Sequence, residues 1–149
     1  MNMISDWIQE PASDVRVAAK ANVVVVGGGP AGLSAAIAAA RNGAEVILLE
    51  RYNHLGGLAS GGMVLVLDDM NNGQEVTVTG LCMEMIERMA KIGAAVYPPP
   101  EERLQNWDVY KKWARWGVFD FRSVGKPTAI VMAAAFDPDG WKRVANEMK

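Results

Sequence analysis

The pattern of apolar and polar positions near the start of the chain predicts a strand, a helix and a second strand. Residues 22–26 hold four consecutive valines and run into three glycines, which is typical of a parallel strand buried on both faces. Alanine-rich residues 30–41 predict a helix, and the pair Asn42 and Gly43 is suited to ending it. Residues 45–50 return as an apolar strand. This order predicts a βαβ unit with a right-handed crossover.

Weaker patterns follow the βαβ unit. Residues 51–63 hold four glycines and predict an irregular loop. A surface helix is predicted next, ending near Gly93, because one helical face collects Leu81, Met85, Ile86, Met89 and Ile92. Residues 107–116 predict a further helix, closed by Gly117.

The last two predicted elements are a strand and a helix. Residues 128–136 are apolar and predict a buried strand. Asp137 and Pro138 then suit the N-cap and the first turn of a helix. A helix after a parallel strand normally leads back to another strand, so the sheet is predicted to be incomplete in this chain. The fold class is therefore α/β, a Rossmann-like βαβ dinucleotide-binding domain with a parallel sheet.

Composition narrows the classes of partner. The chain has 149 residues, of which 50% are hydrophobic, so a single packed domain is the expectation. Its formal net charge of -2 is spread without basic blocks, which argues against a nucleic-acid partner. The lone cysteine, Cys82, cannot form an internal disulfide, and this favours a cytoplasmic location. Residues 1–20 carry acidic side chains and no continuous apolar run, so no signal peptide or membrane contact is predicted.

A glycine motif lies between the first predicted strand and helix. Gly27, Gly29 and Gly32 form GxGxxG, which permits a tight turn, close approach of a pyrophosphate and close packing of helix on strand. The helix N-terminus supplies unpaired N–H groups and a positive dipole end, so the phosphates need no lysine or arginine there. Glu50 ends the second strand, where a carboxylate accepts hydrogen bonds from the adenosine ribose and would repel the 2′-phosphate of NADP.

The first fingerprint is shared by NAD and FAD sites and does not separate them. Paired glycines at Gly56 and Gly57 follow shortly after Glu50. Backbone without side chains could run there beside the pyrophosphate and ring system of a longer cofactor. This second pair favours FAD.

These residues carry a family resemblance. Residues 27–51 followed by 55–57 resemble the FAD-dependent oxidoreductases of the glutathione-reductase structural type. Residues 80–94 and 133–148 are similar to further pieces of a large FAD-dependent oxidoreductase family with the pattern ERxxxLGGxAxxG. The resemblance implies FAD contacts at ten positions: Gly27, Gly29, Pro30, Ala31, Gly32, Glu50, Arg51, Gly56, Gly57 and Ser60.

The resemblance has limits that bear on the site and on the domain. It implies no catalytic residue, and the chain departs at His54 and Leu58 from a related arginine-rich pattern, RxGGR. Residues 1–20 are interpreted as a lead-in segment with a short helix. Residues 21–149 are interpreted as the N-terminal part of an FAD-binding domain, whose remainder lies on a further segment or on a partner chain.

Four other features have a functional and a structural interpretation. His54, the single histidine, could anchor flavin or donate a proton, but a polar loop residue near phosphate is favoured. Cys82 starts a helix that could activate it, but a buried small residue is favoured. The aromatic residues of 107–116 are interpreted as packing on another domain or subunit, and Asp68 and Asp69 as part of a turn, so no metal site is predicted.

The favoured function is an FAD-dependent oxidoreductase that transfers a hydride between an organic small molecule and flavin. One alternative is a non-catalytic FAD-binding subunit, or a fragment, that a partner chain completes. A less favoured alternative is an NAD-binding domain.

Overall fold

The computed structural model describes residues 7–68, 70–72, 75–103, 107–116 and 132–148. The predicted βαβ unit is present as strand β1 (Val23–Val26), helix α1 (Pro30–Arg41) and strand β2 (Val46–Leu49). The two strands are parallel, with Val23 opposite Val46. Residues 7–20 form no helix, so the short helix predicted for the lead-in segment is absent from its described part.

Glycine sets both ends of α1. Gly43 follows the helix with φ +85°, a conformation that a side chain disfavours, and its amide donates to the carbonyl of Ala40. At the other end, Pro30 occupies the first helical turn and Gly29 is the N-cap. Leu33, Ala36 and Ile37 are the buried face of the helix and pack it onto the sheet. The N-terminus of α1 therefore lies at the C-terminal end of β1, as the sequence predicts.

A second, antiparallel sheet corrects the prediction for the later strand. Strand β5 (Ala134–Phe136) lies between β3 (Val66–Leu67) and β4 (Ala95–Val96) and is antiparallel to both. The sequence predicted residues 128–136 as one strand of a parallel sheet, and residues 128–131 lie outside the described part. Strands of two residues carry too little alternation to be recognised in the sequence, so β3 and β4 were missed.

Two helices cover the antiparallel sheet. Helix α2 (Leu81–Lys91) and helix α4 (Pro138–Glu147) pack against each other, and α2 also contacts β4 and β5. The core between them is apolar and methionine-rich; its most buried members are Met70, Ile86, Met89, Met132, Ala134, Val144 and Ala145. The predicted N-cap of α4 is confirmed, because Asp137 accepts a hydrogen bond from the amide of Asp139.

The predicted third helix is shorter than expected. Helix α3 spans Trp107–Ala114, after a 3-10 turn at Pro100–Glu102. Trp113 is buried in a small separate cluster and donates its indole N–H to Glu102 at 2.8 Å. Trp107 and Trp116 are about half-exposed. Trp113 of α3 thus packs within this chain.

One face of the parallel sheet is bare. Val24 is 54% exposed and Val26 is 83% exposed, and Leu49 beside them is 51% exposed. The opposite face is covered by α1, because the side chain of Val25 lies against Gly32. None of the helices in the described parts of the chain combines the length and the hydrophobicity that a membrane span requires.

Candidate functional site

The first glycine loop, Gly27 to Gly32, runs from the end of β1 into the first turn of α1. Gly27 has φ +102°, and its amide donates a 2.8 Å hydrogen bond to the carbonyl of Leu49 on β2. Gly28 is buried, and a Cβ on it would lie 2.6 Å from the Leu55 side chain and 3.0 Å from Oε2 of Glu50. A side chain on Gly28 would therefore displace the side chains of Leu55 and Glu50. Gly28 is not among the predicted contact residues, although the run of three consecutive glycines was a signal for it.

Gly32 allows α1 to start close to β1. A Cβ on Gly32 would lie 1.8 Å from the carbonyl oxygen of Gly27, a distance that no side chain can occupy. Gly29 differs, because its nearest neighbour would be Cα of Gly57 at 4.0 Å and its φ of -67° suits any residue. Helix packing thus requires glycine at Gly32. The folded chain by itself does not require glycine at Gly29.

The N-terminus of α1 has a bare positive end. Its N-cap, Gly29, makes no side-chain hydrogen bond, and the first turn carries no acidic residue. Pro30 has no amide hydrogen, while Ala31 is exposed beside it. The first N–H groups of a helix have no partner within the helix and favour an anion. This end can therefore accept a phosphate without displacing a capping side chain.

Glu50 links the first glycine loop to the chain that follows β2. Its Oε2 accepts a 2.7 Å hydrogen bond from the amide of Gly28, and its Oε1 accepts a 3.0 Å bond from the amide of Tyr52. These two amides, Tyr52 first, lower the pKa of the Glu50 carboxyl below its ordinary value of 4.5. Each carboxylate oxygen can accept more than one hydrogen bond, so the ionised group is able to accept a sugar hydroxyl as well.

The second glycine loop, Gly56 to Gly62, lies directly against the first. The amide of Gly56, whose φ is +114°, donates a 2.8 Å hydrogen bond to the carbonyl of Gly28. A Cβ on Gly57 would lie 3.0 Å from Cα of Gly29. Gly57 also begins the 3-10 turn Gly57–Ala59, which packs on α1. The structure thus places the glycine pair Gly56 and Gly57 against the glycines of the first loop, which precede it by no more than thirty positions in the sequence.

The side chain of Ser60 stabilises the second glycine loop through hydrogen bonding. Its side chain is 1% exposed, and its hydroxyl donates to the carbonyl of Leu55 at 2.8 Å. Nδ1 of His54 lies 3.2 Å from Oγ of Ser60, within hydrogen-bonding distance. The FAD contact implied for Ser60 stays a prediction. The observed contacts of its hydroxyl are with the loop itself.

Three side chains after β2 stack at the rim of the site. The guanidinium carbon of Arg51 lies 5.0 Å from the centre of the Tyr52 ring. The Tyr52 ring is in turn parallel to within 10° of the His54 ring, with centres 6.0 Å apart. Arg51 is exposed beside Glu50, so its charge lies near the rim and is accessible to an anion.

The geometry fits the pyrophosphate of a dinucleotide. The helix end is uncapped, and the surface beside it consists of the backbone of Gly29 and Gly57, where side chains would fill the available space. Glu50 stands at the edge of the same surface with an ionised carboxylate. Eight of the ten predicted contact residues belong to these two loops and the start of α1; Glu50 and Arg51 follow β2.

Cys82 lies near this assembly but is not activated. It is half-buried at the start of α2, and burial raises the pKa of its thiol above the ordinary value of 9.0. A small cavity of about 70 Å³ separates it from Pro30 and Trp141. The protonated thiol of Cys82 is a packing group here, in agreement with the favoured interpretation of the sequence.

The sequence of the chain matches a family profile and several curated proteins. A family profile described as "FAD dependent oxidoreductase" matches residues 22–149. The chain is 66% identical over 38 residues to an NADH oxidase of Thermoanaerobacter brockii, which covers 26% of this chain and 6% of that protein. It is 48% identical over 59 residues to the fumarate reductase (cytochrome) of Shewanella frigidimarina, covering 38% of this chain and 10% of that protein.

A longer match is to NADPH-dependent thioredoxin reductase 3 of Arabidopsis thaliana. The two are 37% identical over 87 residues, which is 56% of this chain and 16% of that protein. The chain therefore spans only a small part of the curated relatives that it matches. No solved structure matches the chain.

Proposed function

The chain belongs to the FAD-dependent oxidoreductase family, and from this premise we propose that its two glycine loops and Glu50 hold the dinucleotide part of FAD. The N-terminus of α1 binds the pyrophosphate, and Glu50 accepts hydrogen bonds from the adenosine ribose. The ionised carboxylate also repels a 2′-phosphate, which selects against NADP.

One observation carries this proposal. Gly28 donates its amide to Glu50 and accepts the amide of Gly56 at its carbonyl, so a single buried residue joins all three parts of the site. Such a fixed backbone surface lowers the cost of ordering the site when a ligand binds. A glycine turn formed only to reverse the chain would not need a second glycine loop packed on it.

The proposed reaction is a hydride transfer. When FAD is bound, its flavin ring supplies the chemistry: it accepts a hydride, which is two electrons and a proton, from an organic small molecule or donates one to it. The part played by this chain is to bind and orient the cofactor through the loops at Gly27 to Gly32 and Gly56 to Gly62. We assign no catalytic residue. A cytoplasmic setting is part of the proposal, because the single cysteine, Cys82, forms no internal disulfide.

Absorption spectroscopy and titration test the cofactor assignment. We expect the purified chain to bind FAD, with quenching or enhancement of flavin fluorescence and a saturable isotherm, and to bind NADH far more weakly. Saturable binding of NADH with no response to FAD would overturn the proposal in favour of a nicotinamide-binding domain. Addition of an artificial dye acceptor and a reductant then tests whether the bound flavin turns over.

A second candidate is a flavin-binding part that another polypeptide completes. Parallel sheets normally have both faces covered, whereas Val24, Val26 and Leu49 leave one face of this sheet open to solvent. A groove of about 510 Å³ is lined by Val46 and Leu48 of β2, by Ala40 of α1 and by Asn146 near the end of α4. Among the described residues, β2 pairs with β1 and with no other strand.

Purification distinguishes the two candidates. If the chain alone retains yellow flavin and reduces a dye acceptor, the need for a partner chain is refuted. If flavin is retained only when a second polypeptide co-purifies, the chain acts as the FAD-binding part of a larger assembly. In both cases the small-molecule substrate is to be found by screening organic hydride donors against the flavin-loaded protein.

A further inference from the structure

Trp141 is a buried tryptophan with an unsatisfied polar atom. It lies on α4, is 4% exposed, and packs its ring against Phe136 with centres 5.4 Å apart. Its indole Nε1 is buried and has no hydrogen-bond partner among the residues that the structure describes. Burial of an unpaired donor destabilises a fold, and phenylalanine or leucine would avoid this cost. The position of the indole therefore calls for an explanation beyond filling the core.

The indole edge lies against the second glycine loop. A Cβ on Gly56 would be 2.5 Å from Cδ1 and 2.7 Å from Nε1 of Trp141. The same Cβ would be 2.5 Å from Oγ of Ser60. Gly56 is thus enclosed by Trp141 and Ser60 on one side, while its amide donates to Gly28 on the other.

This contact connects two distant parts of the chain. A rigid surface behind Gly56 opposes its movement away from the first loop and so favours its bond to Gly28. The five-membered edge of the Trp141 indole is that surface, because the two ring atoms nearest to Gly56, Cδ1 and Nε1, both belong to it. A leucine side chain offers no such rigid edge, because it ends at Cδ1 and has no atom at the position of Nε1.

We propose that Trp141 is a positioning residue of the FAD site: its indole edge holds Gly56 against Gly28 and so keeps the two glycine loops together. This inference rests on the proposed function for its consequence, which is FAD affinity. The packing relationship itself does not depend on the cofactor. Trp141 is not proposed to take part in the reaction, since it acts only through Gly56.

Hydrogen exchange without cofactor tests the packing step. The Gly56 amide reports the bond to Gly28, and the Gly27 amide, bonded to Leu49 at the same 2.8 Å, serves as an internal reference. In Trp141→Leu we expect exchange at Gly56 to accelerate by about tenfold or more while exchange at Gly27 is unchanged. Equal acceleration of both amides, or of neither, would overturn the proposal.

FAD titration tests the functional step. The matched control is Trp113→Leu, which removes a buried tryptophan from the separate cluster around α3. We expect Trp141→Leu to raise the Kd for FAD by about tenfold and Trp113→Leu to change it by about twofold or less. Equal losses of affinity in both variants, or no loss in either, would contradict a positioning role.

The proposal can still be tested if Trp141→Leu does not fold or if the unmodified chain binds no FAD. If Trp141→Leu does not fold, as judged by circular dichroism, Trp141→Met replaces it, because the methionine side chain fills part of the same space and places no rigid ring edge beside Gly56. The same acceleration at Gly56 is then expected, on a smaller scale. If the unmodified chain binds no FAD, the proposed function fails, while exchange at Gly56 still decides the packing relationship.

Discussion

The amide of Gly28 donates a hydrogen bond of 2.7 Å to Oε2 of Glu50, twenty-two positions later in the chain. A carboxylate at the end of β2 thus fixes the glycine loop at the end of β1. Because the second oxygen accepts from Tyr52, the side chain cannot rotate without breaking two bonds. Glu50 therefore shapes the first loop and also carries the charge that we propose for ribose binding.

Substitution Glu50→Gln tests this double role. A glutamine amide nitrogen cannot accept a hydrogen bond, so one of the two backbone amides loses its acceptor, and the charge that would strengthen the proposed ribose bonds is removed. We expect the Kd for FAD to rise by about tenfold, measured by flavin fluorescence. The control is Glu45→Gln, the same change at the opposite end of β2. Unchanged FAD affinity in Glu50→Gln would remove Glu50 from the site.

Two glycines of one motif are expected to respond differently to alanine. Gly32→Ala places a methyl group 1.8 Å from the Gly27 carbonyl, so α1 must shift from β1 and the protein should lose stability in thermal unfolding. Gly29→Ala meets nothing closer than 4.0 Å and should leave the melting temperature nearly unchanged. We nevertheless expect Gly29→Ala to abolish FAD binding, because its methyl group faces the pyrophosphate surface. Normal FAD uptake by Gly29→Ala would contradict the assigned surface.

The βαβ unit and the last helix were predictable because their signals are local. A valine run, an alanine-rich helix, the Asn42 and Gly43 pair and the Asp137 cap each act within a few residues of their own position. The strand and helix bounds in these regions differ from the sequence prediction by one or two residues at most.

The remaining features depend on contacts between distant segments. Strands β3 and β4 have two residues each and exist because β5 pairs with both. The contact of Trp141 with Gly56 joins two segments eighty-five positions apart and leaves no periodic pattern in either. Gly28 and Trp141 were missed for the same reason, whereas Gly29 and Glu50 occupy fixed positions in a recognisable motif.

The ion pair between α1 and α2 makes stability depend on pH. Hydrogen bonds from Arg41, and then from Arg88, lower the pKa of Glu84 from 4.5 to about 2. A carboxyl group whose folded pKa is lowered stabilises the fold above its unfolded pKa and loses this contribution as the pH falls. We expect the difference in free energy of unfolding between the native chain and Glu84→Gln to be constant near neutral pH and to shrink between pH 4.5 and about 2.

Urea denaturation across this range measures that difference. Glu87→Gln is the control, since it removes a carboxylate from the exposed face of the same helix. A difference that stays the same down to pH 2 would show that the Glu84 pair does not titrate with folding.

The thiol of Cys82 should react slowly in the folded protein. Burial raises the pKa of this group above 9.0, so little thiolate is present at neutral pH. We expect alkylation by iodoacetamide to be about tenfold slower in buffer than in urea, measured by mass spectrometry of the intact chain. Equal rates in the two solvents would show that Cys82 is accessible and ionised in the folded state.

The cap of α4 offers the last test, since α4 carries Trp141 to the second glycine loop. The Asp137 side chain accepts the Asp139 amide at 3.0 Å, and Asp137→Ala leaves that amide without an acceptor. We expect a loss of about 1 kcal/mol in the free energy of unfolding, measured by urea denaturation. Asp139→Ala removes only an exposed pair with Lys142 and should cost less. Asp137→Asn should retain most of the stability, because asparagine caps a helix about as well; a loss as large as that of alanine would assign the effect to charge rather than to the capping bond.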